Sequence, residues 1–112
     1  MNKEELIKCL DTKIQTYAKE ANKIGYYERS YNPEYFHLHL CISCYDFVLQ
    51  FIKDKKNILE ELKTLKIGTE WCLQELYKAK QLNANVDNNP EKTRDLEYKY
   101  TALEQTIELL TS

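Results

Sequence analysis

A chain of 112 residues with 43% hydrophobic and 30% charged residues has the make-up of one folded domain, 1–112, able to build a core without disulfide staples. Two glycines and two prolines supply too little turn chemistry for a β-sandwich. The formal net charge is -2 with acids and lysines interspersed, so no basic footprint for nucleic acid is visible, and only a mild acidic excess marks the end from Ala84 onward.

The first predicted helix spans about 3–24. Ile7, Leu10, Ile14, Tyr17, Ala21 and Ile24 recur at helical spacing. Asn2 with Glu5 resembles a capping box, and Gly25 is the expected stop. The start leads into an amphipathic helix rather than an apolar leader, so a cytoplasmic setting with reduced thiols is expected for the four cysteines.

The connection from Gly25 to Asn32 is rich in tyrosine rather than glycine or serine. Tyr26, Tyr27, Tyr31 and Tyr35 crowd around it with Arg29. Tyrosine and arginine are the residue types enriched at interface hot spots, whereas a structural reading has the rings capping the end of a bundle.

Asn32-Pro33-Glu34 then opens a second helix, about 33–53. Asparagine suits the cap, proline suits the first helical position, and the acid complements the dipole. Tyr31 and Phe36 occupy the two positions of a hydrophobic staple. His-Leu-His-Leu at 37–40 imitates strand alternation, but the longer period is helical. Phe36, Leu40, Cys44, Phe47 and Phe51 form one apolar stripe. Leu38, Ile42, Tyr45, Leu49 and Ile52 form a second, and His39, Ser43, Asp46, Gln50 and Lys53 form a polar strip. An ordinary surface helix has one apolar stripe. This helix is therefore central to the fold or shared with a partner. Its polar strip argues against a membrane span. The second stripe is expected to need a cover from outside, from a second copy of the chain or another protein.

Asp54 to Asn57 is polar, and Asn57 with Glu60 resembles another capping box. A third helix, about 58–82, follows with Ile58, Leu62, Leu65, Thr69, Cys72, Leu76 and Ala79 facing inward. Gly68 inside it costs ~1 kcal/mol relative to alanine. A break at Gly68-Thr69, or one long central helix over 33–82 with the flanking helices folded back in a dimer, are the alternatives. Asn83 to Pro90 reads as a loop. A fourth helix, about 91–110, carries Leu96, Tyr100, Leu103, Ile107 and Leu110. Four near-equal helices with short connections predict an all-α, antiparallel four-helix bundle.

Candidate chemistry is thin. His37, Cys41 and Cys44 share a helix face at i, i+4, i+7, and Cys9 or Cys72 would have to complete a tetrahedral zinc site or thiol sensor. The competing reading, buried cysteines acting as small hydrophobes, is the stronger. Ser43, His39 and Asp46 have the composition of a hydrolase triad but the wrong order, because histidine must stand between nucleophile and carboxylate. A di-metal bundle needs a Glu-x-x-His pair on each of two helices, and two do not occur, Glu34-Tyr35-Phe36-His37 standing alone; nor is there a glycine-rich phosphate loop. Expected, then, is a non-enzymatic helical module without cofactor or small-molecule substrate. It would dock Tyr26, Tyr27, Arg29, Tyr31, Tyr35 and the second stripe on a partner protein or a second copy. Fourteen of sixteen basic residues are lysine, and asparagine, isoleucine and tyrosine are abundant, a bias that fits a phage or mobile-element inhibitor of a host protein. A metal or thiol sensor, and a nucleic-acid regulator that is basic only as a dimer, are the rival expectations.

Overall fold

A computed structural model of the chain describes residues 1–82 and 90–112. It is an all-α four-helix bundle with α1 at Lys3–Asn22, α2 at Pro33–Ile52, α3 at Ile58–Gln81 and α4 at Pro90–Thr111. Of the loop expected over Asn83 to Pro90, residues 83–89 lie outside the described residues, and Pro90 is already helical.

Caps set the helix starts. Asn2 Oδ1 accepts from Glu5 N at 2.8 Å. Asn32 Oδ1 accepts from Glu34 N at 2.8 Å and from Tyr35 N at 3.2 Å, with Pro33 at the first helical position. Three expectations need correction. Asn57 lies before α3 with ψ of 72° and makes no side-chain cap. Gly25 does not end α1: the helix stops at Asn22, and Gly25 is in ordinary φ < 0 geometry (φ -57°) ahead of a short 3-10 turn at Tyr26–Glu28. The Tyr31–Phe36 staple is not buried, since both rings stay exposed.

The chain breaks between α2 and α3 at residues 53–57, so both the long central helix and the break at Gly68 are ruled out. Lys3 Nζ donates to Lys55 O at 3.0 Å, which ties this turn to the start of α1.

Pairings across helices give the directions. The Tyr17 and Tyr45 rings stack at 5.9 Å between antiparallel α1 and α2. His37 meets Tyr98 while Tyr45 meets Gln105, so α2 and α4 run parallel. Lys66 pairs with Glu104 at 3.8 Å and Tyr77 bonds Glu97, so α3 and α4 are antiparallel. The directions alternate along the chain, but the packing is skewed. α2 lies between α1 and α4, α4 lies between α2 and α3, and α2 and α3 do not pack lengthwise among the described residues. The bundle is therefore flattened, with extents of 45 × 39 × 22 Å. Its radius of gyration is 15.8 Å, where a compact domain of this length has about 13 Å.

The core joins Leu6 and Leu10 of α1, Val48 and Ile52 of α2, Leu62 of α3 and Leu103 of α4, among others. Each such leucine or isoleucine contributes about 2 kcal/mol by leaving water. Buried polar groups are satisfied locally: Thr106 Oγ1 donates to Ala102 O at 2.6 Å. On α3 the inward position is Leu73, not Cys72, which is exposed. No helix among the described residues is long and apolar enough to cross a membrane.

Candidate functional site

The connection between α1 and α2 is short and internally braced. Ile24 N donates to Ala21 O at 3.1 Å, Glu28 N to Gly25 O at 2.9 Å and Tyr31 N to Glu28 O at 3.2 Å. Arg29 ties these turns to one another and to the first turn of α2. Its Nε donates to Ile24 O at 3.2 Å. Its guanidinium lies over the Tyr26 ring at 5.9 Å and the Tyr35 ring at 5.5 Å. Tyr26 and Tyr27 meet edge to face at 5.6 Å.

Despite this bracing the rings are not covered. Tyr26, Tyr27 and Tyr31 are 77%, 87% and 71% exposed. The aromatic surface continues onto α2, where Tyr35 meets His39 in a tilted contact at 4.3 Å and Phe36 edge-on at 6.4 Å. Phe36, His39, Leu40 and Ser43 then form one wall of a groove of about 490 Å³, and Glu91, Arg94 and Asp95 of α4 form the other. Five predicted residues, Tyr26, Tyr27, Arg29, Tyr31 and Tyr35, are thus brought together. Phe36 and Leu40 were assigned to a core stripe and His39 to the polar strip, yet all three belong to this surface. Their signal was proximity to the tyrosines along the helix rather than periodicity.

The other half of the predicted docking set is not on the surface. Leu38, Tyr45, Leu49 and Ile52 are buried inside the single chain and Ile42 is half-buried. The expectation that this stripe needs an outside cover is corrected, because α1 and α4 flank α2 on both sides. The stripe that stays partly bare is the first one, at Phe36 and Phe47.

His37, Cys41 and Cys44 do lie close together, beside a cavity of about 280 Å³ between α2 and α4 that also reaches Tyr17 and Gln105. Their polar atoms are already engaged. His37 Nδ1 and the Tyr98 hydroxyl share a hydrogen bond at 2.5 Å, and His37 Nε2 lies 3.7 Å from Cys41 Sγ. The Cys44 thiol donates to Asp95 O at 3.9 Å. Burial pushes the Cys41 thiol up, and the Tyr17 hydroxyl bonded to it offsets part of that rise. Burial, reinforced by nearby Asp95, pushes the Cys44 thiol up to about 11. Both thiols therefore resist ionisation, which makes them poor nucleophiles. Cys9 is half-buried and Cys72 is exposed. Among the described residues no three ligating side chains converge. The triad composition also dissolves: Asp46 accepts from Gln50 Nε2 at 3.4 Å while His39 packs against the Tyr35 ring.

No known protein family, curated protein or solved structure matches the chain. The aromatic surface and its groove carry the functional argument alone.

Proposed function

We propose that the chain is a non-enzymatic protein-binding module that docks its Tyr26–Phe36 aromatic surface on a partner protein. The observation that carries this reading is the exposure of Tyr26, Tyr27 and Tyr31 on a connection braced by its own turns and by Arg29, whose guanidinium lies over the Tyr26 ring. Large rings left in water gain the most on docking, and rings already ordered lose little freedom when they dock. Glu28 and Glu34 belong to the same segment as Arg29, and Glu91 and Asp95 share the groove wall with Arg94, so the surface is of mixed charge without the basic footprint a phosphate backbone requires, and a protein surface is the better fit. The compositional bias fits an inhibitor or regulator from a phage or mobile element acting on a host protein. A thiol-based sensor is the weaker reading, since burial keeps Cys41 and Cys44 protonated.

The test is site-specific photo-crosslinking in the native host, with the crosslinker replacing Tyr27 in one variant and Gln50, on the polar strip, in another. A discrete protein adduct from position 27 that is absent from position 50 supports the reading. Identical adducts from both positions, or none from either, contradict it. Once a partner is in hand, Tyr27→Ala or Tyr31→Ala is expected to weaken binding about tenfold or more, the scale of a hot-spot residue.

A further inference from the structure

α3 is the edge helix of the flattened bundle. Its inner residues Leu62, Thr69 and Leu73 are buried, and α4 is the helix it packs along. The opposite face is open. In the middle of that face stand Ile67 and Trp71, one turn apart, 67% and 65% exposed.

Gly68 sits beside them. A Cβ built there meets nothing within 4 Å, and the position is ordinary helix. Neither space nor backbone geometry within one chain calls for glycine at a site where glycine weakens the helix. A missing side chain next to an exposed indole leaves room for something that approaches from outside.

We propose that this face of α3 is a two-fold self-association surface, on which α3 of a second copy lies antiparallel with the axis at the level of Thr69. This interface uses different residues from the tyrosine surface and stands or falls separately from it. The argument for a second copy as occupant is charge. In this register Glu60 faces Lys78 of the second copy, since the two positions, 18 residues apart, share one line along the helix. Ile67 faces its Trp71, with the Gly68 gap beside the ring. Two-fold symmetry makes every one of these contacts twice. Glu60 lies in the acidic first turn of α3 and Lys78 in its basic last turn, so antiparallel helices also set opposite dipole ends together. Within one chain Lys78 lies 3.6 Å from Glu75 but is 68% exposed, free to reach across. A contact between two single helices is small, so the dimer is expected to be reversible, in the micromolar range or weaker.

Sedimentation equilibrium of the full chain, from about 10 µM to about 1 mM at low salt, tests this. The wild type is expected to dimerise. Glu60→Lys alone places lysine against lysine twice, and Lys78→Glu alone places acid against acid twice. Each is expected to weaken the dimer about tenfold or more. The double variant, or an equimolar mixture of the two single variants, restores opposite charges at both contacts and is expected to restore the dimer. Gly68→Ala is expected to raise the thermal midpoint of the dilute monomer while weakening association. All three positions are exposed, so the variants fold, and circular dichroism confirms it. A wild type that stays monomeric throughout overturns the proposal. So does a dimer indifferent to both charge reversals.

Discussion

Asn32 and Asn57 precede their helices in the same way, yet only Asn32 caps. Its Oδ1 takes two otherwise orphaned backbone donors, Glu34 N and Tyr35 N, whereas Asn57 bonds neither of its counterparts. Asn32→Ala is therefore expected to cost about 1 kcal/mol in urea denaturation, and Asn57→Ala close to nothing. The sulfur and phenol groups of the core give a second prediction. Burial raises Cys44 from its ordinary 9.0 to about 11 and Tyr45 from 10.0 to about 12. Folding thus favours the protonated forms of both. Their contribution is complete below about pH 9, where the unfolded thiol still holds its proton, and is lost as pH rises from 9 towards 12. The urea midpoint is expected to fall across that window. At pH 8 an alkylating reagent is expected to label exposed Cys72 first and buried Cys44 only on unfolding, a difference that mass spectrometry reads directly.

α2 is the element on which the fold turns. Leu49 and Gln50 are neighbours in sequence, but one is buried and the other exposed. Leu49→Lys is expected to cost upward of about 3 kcal/mol and to unfold much of the population, because it strands a charge in the core. Gln50→Lys is expected to shift the melt hardly at all. The helix itself was legible: asparagine and proline fix its start, and the 3.6-residue period sorts its faces. What covers its two stripes was not legible, because flanking by α1 and α4 is a long-range outcome that local periodicity does not encode. The same limit explains α3. Leu65, Thr69, Cys72 and Leu76 fit a helical stripe as well as the observed Leu62, Thr69 and Leu73 do, so a small rotation exchanged Cys72 for Leu73 and hid the exposure of Ile67 and Trp71. At the candidate site, the tyrosines and Arg29 stood out by composition. Phe36 and Leu40 did not, because an apolar residue on an apolar helix looks like core until its neighbours are placed.

At the scale of the whole molecule, the side chains that make the core and the large ones left in water occupy different places. Its core closes within one chain around α2, and six of the large apolar side chains left exposed stand on two surfaces, Tyr26, Tyr27, Tyr31 and Phe36 at the connection and Ile67 and Trp71 on the outer face of α3. For the first of these the rival account is that the rings are a lid holding α1 and α2 together. Equilibrium urea denaturation of a Tyr26→Ala, Tyr27→Ala, Tyr31→Ala triple variant separates the two most directly. With the rings 71–87% exposed, the expected loss is about 1 kcal/mol or less, most of it the Arg29–Tyr26 contact. A loss of about 3 kcal/mol or more, on the scale of core truncation, would make the tyrosines part of the scaffold and contradict their assignment to docking.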